Sequence, residues 1–328
     1  MIAYIVSKML QNRHVQTILS FVILPPEKIQ FETKRVAASD GGFLELAFPT
    51  LGGRWADLPD GPIVLVLHGI GGTAQGVPLQ HAYWHLLEGG FRPIGLNSRG
   101  SSPAVHQDTP FAHYGASAEV GLAVEWISTQ YDSKISLLGI SLGGCLMLKY
   151  LGEQTPHPSI CAAAAISSPF NYWKTSLQLQ TPAGRLYHHA ILRRMKQIMR
   201  QKRAELQPHI DVDAALAASS MLEFDRQVAT QLYGHRDLSV YLEQTSVDQF
   251  LHAIKTPTLI IRSLDDPMHD ATDIDHAVVS NNPHLEGCFL PTGGHTGFFA
   301  LINGRIQPQA QRHAVQFLFT QTIGANGD

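Results

Sequence analysis

Ile135-Ser136-Leu137-Leu138-Gly139-Ile140-Ser141-Leu142-Gly143-Gly144 is the stretch that decides the fold class of this chain. Its first four residues predict a buried strand, and the apolar run at 144–150 predicts a helix directly after it. This order places Ser141 in a sharp turn, where glycines two positions before and after it let strand and helix approach closely. Such a turn exposes the serine hydroxyl beside a helix N-terminus, which favours developing negative charge. The pattern predicts that Ser141 is a nucleophile.

Two later segments supply partners for this serine in the order found among α/β-hydrolases, which is nucleophile, acid, histidine. Asp265-Asp266 follows an apolar run at 257–261, and His295 follows a short predicted strand at 286–290. Glycines on both sides of His295 leave its imidazole free to project from a loop. Each of the three residues therefore follows a predicted strand, at the carboxyl edge where open α/β sheets place their sites. We predict a triad of Ser141, Asp266 and His295.

The chemistry of acyl transfer assigns a role to each group. A serine hydroxyl is a weak nucleophile, so His295 must remove its proton during attack on a carbonyl. The carboxylate of Asp266 holds the imidazole tautomer and stabilises its charge. The oxyanion needs backbone N–H donors, which we assign to Leu142, directly after the nucleophile, and to Ile70, in the glycine-rich loop after an early strand.

Two of these assignments have alternatives within the sequence. Asp265 competes with Asp266 for the acid role; the adjoining Pro267 favours Asp266, and Asp265 would then cap a loop. His68 precedes the glycine-rich loop, and we favour a loop-fixing role for it over that of a second base.

The order of predicted elements indicates an α/β fold, namely an α/β-hydrolase fold with a mostly parallel central sheet and helices on both faces. The predicted strands are 30–37, 42–48, 63–67, 92–97, 135–138, 161–167, 257–261 and 286–290, and the predicted helices include 79–87, 116–129 and 308–319. The interval between the strands at 161–167 and 257–261 lacks strand patterns and is too long for a bare loop. We therefore predict a core formed by 1–169 and 251–328, with a helical cap insertion at 170–250.

The cap contains a strongly basic helical segment. Residues 185–205 hold seven Lys or Arg residues and one acid, with apolar residues at helical spacing that include Leu186, Met195 and Met199. We favour packing of this apolar side on the domain below, where it would form the lower face over an acyl pocket; the alternative is peripheral contact with a membrane surface. His188 and His189 are adjacent and do not share a helix face, so we predict no metal site there.

Bulk properties exclude several classes of function. A formal net charge of −3 gives no reason to expect nucleic acid as a partner. The three cysteines, Cys145, Cys161 and Cys288, lack metal or redox spacing and fall in apolar runs, which favours a reduced compartment. The N-terminus is a poor signal peptide, so the expected location is cytoplasmic. No cofactor is expected, because the loop at 68–72 lacks the Walker lysine and the dinucleotide-binding glycine spacing.

Several motifs resemble those of the YheT-like branch of α/β-hydrolases, which includes mammalian ABHD-type lipases and plant embryo-associated relatives. The segment at 12–17 is similar to the family's N-x-H-x-Q-T, the one at 97–102 to its R-G-C-S-G, and the one at 293–298 to its G-G-H-x-G-F. Further positions that keep the family spacing are Asp225, Gly234, Tyr241, Ser246, Ile254, Pro257 and the pair Asp265-Asp266. The resemblance covers nearly the whole chain and implies the same triad.

The chain departs from the family at His235, at Leu242 and after Arg99-Gly100, where the cysteine is absent. These positions concern the cap or the pocket rim and therefore substrate choice. The resulting hypothesis is a serine hydrolase that cleaves carboxylic esters, with lipophilic acyl chains, through an acyl-enzyme. Its partner would be a small ester or lipid. The alternatives are an acyltransferase with the same triad and a non-catalytic binding protein; the sequence does not indicate an oligomeric state.

Overall fold

The computed structural model describes residues 8–101, 113–302 and 304–324. An eight-stranded sheet with the order β1-β2-β4-β3-β5-β6-β7-β8 forms the centre of the molecule. Its strands are β1 (Gln30–Ala37), β2 (Phe43–Thr50), β3 (Ile63–Leu67), β4 (Arg92–Asn97), β5 (Ile135–Ile140), β6 (Ile160–Ile166), β7 (Thr258–Ser263) and β8 (Leu285–Leu290). β2 is antiparallel to both β1 and β4, and every pair from β4 to β8 is parallel. The mostly parallel sheet predicted from the sequence is confirmed.

Helices cover both faces of this sheet. They are α1 (Arg13–Leu19), α2 (Val77–Glu88), α3 (Ala118–Gln130), α4 (Leu142–Glu153), α5 (Tyr172–Gln180), α6 (Arg185–Gln201), α7 (Arg203–Leu206), α8 (Val212–Ala217), α9 (Met221–Leu232), α10 (Leu238–Thr245), α11 (His276–Asn281) and α12 (Gln309–Thr322). Short 3-10 helices occupy Lys8–Gln11, Trp55–Asp57 and Asp248–Ala253. None of the helices in the described residues is both long enough and apolar enough to cross a membrane.

The two faces of β3 show how the sheet divides the core. Successive side chains of a strand point to opposite faces. Ile63, Leu65 and Leu67 pack in one apolar cluster with α3 and α4, whereas Val64 and Val66 pack in a second cluster with α2 and α12. All five are buried, which explains why the sequence shows an uninterrupted apolar run here instead of an alternation.

The interval between β6 and β7 folds as the six helices α5 to α10, in agreement with its expected helical character. Its two ends meet, because the N–H groups of Val247 and Asp248 donate to the carbonyl of Phe170 at 2.9 and 3.1 Å. Joined ends are what an insertion into a continuous sheet requires. The division into a core (1–169 and 251–328) and a cap (170–250) stays a prediction.

Helices α1 and α11 and two short strands were missing from the sequence-based prediction. β9 (Phe299–Ile302) and β10 (Arg305–Pro308) form a separate two-stranded antiparallel sheet directly after the loop that carries His295. Each strand has only four residues, and Pro308 ends the second. Strands this short contain too few residues for a period-2 pattern to stand out from a loop.

Candidate active site

Ser141 occupies a strained turn between β5 and α4. Its backbone angles are φ 55° and ψ −124°, in a region that residues other than glycine rarely adopt. A Cβ at Gly139 would lie 2.5 Å from the Cα of Gly144, and one at Gly143 would overlap the carbonyl of Leu67. The glycines are therefore required for the close approach of strand and helix, as the pattern predicted.

Three side chains form a hydrogen-bonded chain at the carboxyl edge of the sheet. His295 Nε2 lies 3.0 Å from Ser141 Oγ, and His295 Nδ1 lies 2.9 Å from Asp266 Oδ2. All three residues are buried. Because a carboxylate only accepts, Nδ1 carries the proton and Nε2 faces the serine hydroxyl as an acceptor. The sequence predicted these three residues, and the structure brings them together in the geometry of a nucleophile, a base and an orienting acid.

The neighbouring carboxylate of Asp265 faces elsewhere. Its Oδ1 accepts hydrogen bonds from the N–H groups of Gly293 and Gly294, both at 3.0 Å. Asp265 thus fixes the backbone of the loop that carries His295, whereas Asp266 contacts the imidazole itself. This geometry favours the loop-capping alternative for Asp265.

The charge of Asp266 is stabilised in spite of its burial. Burial raises the pKa of this carboxyl, but the electrostatic influence of His295 and His269, together with hydrogen bonds from His295 and from the N–H of Met268, outweighs it. The net effect is a pKa below the ordinary value of 3.8. Asp266 is therefore ionised at neutral pH, as the stabilisation of a transient imidazolium requires.

His269 is a second buried histidine beside this pair, and sequence reasoning did not single it out. Its ring centre lies 4.8 Å from that of His295, and its Nε2 lies 3.0 Å from the carbonyl oxygen of Ser167. Burial lowers the pKa of His269 to about 3, so it is neutral at physiological pH. It contributes a fixed neutral ring to the wall behind the His295–Asp266 pair.

The potential ligand atoms of Asp266, His269 and His295 lie within 4.8 Å of one another, which raises the question of a metal ion. A carbonyl oxygen cannot donate, so His269 Nε2 must carry a hydrogen to bond Ser167. The nitrogen of His295 that faces Asp266 also carries a hydrogen. The two nitrogens nearest the carboxylate thus each donate a hydrogen bond, while Nδ1 of His269 is buried without a hydrogen-bond partner among the described residues.

The two predicted oxyanion donors belong to segments that lie beside Ser141. Leu142 is the first residue of α4, and neither its N–H nor that of Ile70 has a backbone acceptor within the described ranges. A Cβ at Gly69 would lie 3.2 Å from Ser141 Cβ, so the loop that carries Ile70 passes directly against the serine. Two free donors next to Ser141 are the arrangement that a tetrahedral oxyanion needs.

His68 fixes this loop. Its Nε2 accepts from the N–H of Ser98 at 3.2 Å, which leaves the Nδ1 hydrogen to donate to the carbonyl of Gly69 at 2.8 Å. Burial lowers the pKa of His68 and keeps it neutral. Both nitrogens are therefore engaged in holding the loop, which favours this role over that of a second base.

An apolar pocket of about 560 Å³ opens onto Ser141 and His295. Its apolar walls come from α1 and the turn after it, from α2, from α6 and from the loop after β7; they include Ile18, Phe21, Val22, Leu79, Leu186, Ala190, Ile191 and Met268. This volume lies within the range of small-molecule sites. The pocket can accommodate an acyl chain whose carbonyl reaches Ser141.

The contacts of α6 correct part of the expectation for this helix. Leu186 lines the pocket, as predicted, but Met199 is fully buried against α8 and α9, and Met195 faces a separate small cavity. The helix divides its apolar residues between two partners, and besides Leu186 its apolar positions that line the pocket include Ala190 and Ile191. The same burial excludes a membrane contact through the side formed by Met195 and Met199.

The small cavity beside Met195 lies next to Leu142 and Ile70 and is bordered by a buried acid. It has a volume of about 20 Å³, enough for about one water molecule, and both Ile70 and Leu142 border it. Asp225 lines it, with a buried Oδ2 that lacks a hydrogen-bond partner. Burial raises the pKa of this carboxyl to about 8, so it is protonated at neutral pH.

The loop that carries His295 is held by residues near the other end of the sequence. Thr17 Oγ1 accepts from the N–H of His295 at 2.9 Å, and the side-chain amide of Gln16 bonds both the N–H and the carbonyl of Phe299, at 2.7 and 3.0 Å. Asn12 caps the helix that carries them. These positions belong to the N-x-H-x-Q-T motif, whose role only the folded structure reveals.

Comparison with known proteins agrees with this geometry. A family model described as alpha/beta hydrolase fold matches residues 62–300. The chain belongs to the α/β-hydrolase fold family. This α/β hydrolase is 27% identical over 308 residues to phospholipase ABHD3 of Bos taurus, a match that covers 92% of the chain and 75% of that protein. It is 26% identical to YheT of Escherichia coli K12, over 88% of the chain and 84% of that protein.

These matches confirm the predicted relation of this α/β hydrolase to the YheT-like branch and to ABHD-type enzymes. Monoacylglycerol lipase ABHD2 of Danio rerio is 26% identical over 72% of the chain and 58% of that protein. Among solved structures, the Pyrococcus furiosus esterase Pf2001 superposes with a TM-score of 0.56 at 14% identity, covering 92% of this chain and 98% of that one. At this identity the likeness shows the fold alone.

Proposed function

We propose that this α/β hydrolase is a serine esterase that cleaves carboxylic esters with lipophilic acyl chains. Its relatives carry the names phospholipase and monoacylglycerol lipase, which supports ester hydrolysis by an enzyme of the esterase and lipase type. The observation that carries the proposal is the hydrogen-bonded chain from Asp266 through His295 to Ser141 beside an apolar pocket.

The geometry supports a two-step mechanism. Ser141 Oγ attacks the ester carbonyl while His295 Nε2 takes its proton, and Asp266 stabilises the imidazolium. The N–H groups of Leu142 and Ile70 bind the oxyanion. His295 then gives the proton to the departing alcohol, which leaves an acyl-enzyme on Ser141. A water molecule, activated by the same histidine, releases the acid and restores the serine.

Covalent labelling and turnover test the nucleophile. A fluorophosphonate should label Ser141 in the folded protein, and Ser141→Ala should remove both the label and about 10⁴–10⁶-fold of kcat. The glycines set the elbow, so this variant should unfold at the wild-type temperature. If Ser141→Ala keeps more than about a tenth of wild-type turnover, another group is the nucleophile.

A chain-length series of nitrophenyl esters tests the substrate class. Each methylene buried in the apolar pocket contributes about 0.8 kcal/mol, so kcat/KM should rise about fourfold per methylene from acetyl until the pocket is full. A series that peaks at acetyl contradicts the lipophilic assignment while leaving the triad intact. Addition of an alcohol acceptor to the same assay shows whether the acyl group passes to water or to the alcohol.

A further inference from the structure

The mouth of the active-site pocket has an exposed apolar rim. Leu186, Val22 and Phe21 line the pocket, yet their exposed fractions are 63%, 62% and 53%. Ile18 lines the same pocket, and Leu24, which follows the turn after α1, is also exposed. Single exposed apolar residues are common on proteins, but a cluster around one opening indicates an interaction surface.

Two separate elements build this rim and are joined to each other. His14 of α1 places its Nδ1 3.0 Å from the hydroxyl of Tyr187 on α6, and the two rings are stacked. Leu186 precedes Tyr187 directly, so the exposed residues of α1 and α6 lie around the same opening.

A row of basic residues continues the rim along α6. The helix contains five Lys or Arg residues and no acidic one, although the whole chain has a formal net charge of −3. Arg185, Arg193 and Arg200 are exposed, together with His189. Their spacing places them on the solvent side of the helix, beside the positions that line the pocket. Positive charge is thus concentrated next to the apolar rim.

We propose that this rim, formed by Ile18, Phe21, Val22, Leu24 and Leu186, docks on an anionic lipid surface, with the exposed arginines of α6 bound to the headgroups. The apolar side chains then enter the boundary between headgroups and acyl chains, and the pocket opens directly onto the lipid. The match in charge favours this occupant. A second copy of the chain would present the same positive row and be repelled.

This inference rests on the proposed function, because a lipid surface is where esters with long acyl chains reside. The docking role further implies that a lipid enters the pocket from the membrane plane through the opening that α1 and α6 border. The surface differs from the buried side of α6 formed by Met195 and Met199.

Vesicle binding tests the surface independently of catalysis. Ser141→Ala protein, which cannot consume lipid, is sedimented with vesicles of phosphatidylcholine alone or mixed with phosphatidylglycerol. Each arginine near an anionic surface contributes about fivefold to partitioning, so Arg185→Gln with Arg193→Gln should lower binding to the mixed vesicles about 25-fold. High salt should have a similar effect. Phe21→Ser with Leu24→Ser should lower binding to both kinds of vesicle.

Matched controls carry the same changes away from the rim. Trp173→Ser with Leu177→Ser removes exposed apolar residues of α5, and Arg236→Gln with Lys255→Gln removes two exposed charges. Neither pair lines the active-site pocket, and both should bind as the parent protein does. Equal binding by rim and control variants, or equal binding of the parent to both vesicle types, overturns the proposal.

Turnover separates this proposal from the proposed function. In protein that retains Ser141, Arg185→Gln with Arg193→Gln should leave hydrolysis of a soluble acetyl ester unchanged and slow hydrolysis of esters held in anionic vesicles. Loss of both activities would place these arginines in the catalytic site and overturn the docking role. Absence of any esterase activity in the wild-type protein would instead refute the proposed function.

Discussion

Asp265 and Asp266 are adjacent in sequence, yet their carboxylates bind different parts of the same loop. Asp266 accepts from the imidazole of His295, and Asp265 accepts from two backbone N–H groups at Gly293 and Gly294. One residue contacts the imidazole of His295, which is the proposed base, and the other fixes the path of the backbone that presents it. The two roles predict different responses to the same amide substitution.

Asp266→Asn should lower kcat by about 10⁴, because an amide that donates to Nδ1 selects the wrong imidazole tautomer. Asp265→Asn should lower kcat about tenfold or less, since the amide oxygen can still accept from both glycines. Steady-state kinetics on a soluble ester measure both effects, and thermal unfolding checks that the fold is kept. A larger loss in the Asp265 variant would transfer the acid role to that residue.

Single residues were the most predictable part of the site. Ser141, Asp266 and His295 could be predicted because each directly follows an apolar run that predicts a buried strand, and parallel strands bring their carboxyl ends to one edge. His269 could not, because it becomes important only through a fold-dependent contact with Ser167 and the ring of His295. Likewise, the sequence left the choice between Asp265 and Asp266 open, since both occupy the same loop.

At the scale of elements, α1 acts as a clamp on the loop that carries His295. Thr17 is fully buried; its hydroxyl donates to the carbonyl of Arg13 and accepts from the N–H of His295. Although this helix has only seven residues, it holds the backbone of His295, the proposed base, in place. Nothing in its local pattern indicates this, because the partner loop is distant in sequence.

Thr17→Val keeps the shape of the side chain but leaves the buried N–H of His295 without an acceptor, at a cost of about 1–3 kcal/mol. We expect kcat to fall about tenfold or more as the imidazole shifts from Ser141. Thr17→Ser retains the hydroxyl and is the matched control, with near wild-type kcat. Equal kcat values for the valine and serine variants would show that this hydrogen bond does not position the base.

The helix α6 contacts the pocket on one side and α8 and α9 on the other. Sequence periodicity identifies its apolar positions but cannot assign each to one of two apolar neighbours, which is why Met199 was placed over the pocket. The structure gives that place to Ala190 and Ile191.

Ile191→Ala enlarges the pocket and should shift the best substrate in a nitrophenyl ester series to a longer acyl chain. Met199→Ala removes a fully buried side chain from the contact with α8 and α9, and should lower stability by about 2–5 kcal/mol without changing that preference. Chain-length profiles and denaturant unfolding of both variants separate the two effects. A shifted profile in the Met199 variant alone would contradict the assignment of the pocket wall.

For the whole molecule, burial sets the dependence of stability on pH. Burial lowers the pKa of several histidines from the ordinary 6.5, to about 4 for His81 and His85 and to about 3 for His113 and His269. Burial also raises the pKa of the carboxyls of Glu119 and Asp225 to about 8. The histidines favour unfolding in acid, because the unfolded chain binds their protons. The carboxyls favour unfolding at higher pH, because only the folded chain retains their protons.

Between pH 6.5 and 4 the unfolded chain binds protons at the four histidines that the folded chain does not, whereas the folded chain retains protons at only the two carboxyls. The free energy of unfolding should therefore fall as the pH drops from 6.5 towards 4. Above pH 6.5 the unfolded chain loses its remaining histidine protons, so the carboxyls dominate and stability should fall again towards pH 8. Calorimetric melting temperatures across this range should therefore peak near pH 6.5. Glu119→Gln with Asp225→Asn should flatten the alkaline side; a wild-type melting temperature that rises up to pH 8 would contradict the assignment.

The bonds between α1 and the loop that carries His295 also affect the order of events during synthesis. Thr17 and His295 are 278 positions apart, so at about 5–20 residues per second the helix that carries the Thr17 acceptor leaves the ribosome roughly 14–56 s before the loop that carries the N–H donor of His295. The elbow of Ser141 can fold in that time on a growing parallel sheet. On the proposed mechanism, the nascent chain then holds Ser141 without the histidine that would activate it, so ester cleavage can begin only after the loop that carries His295 has been added.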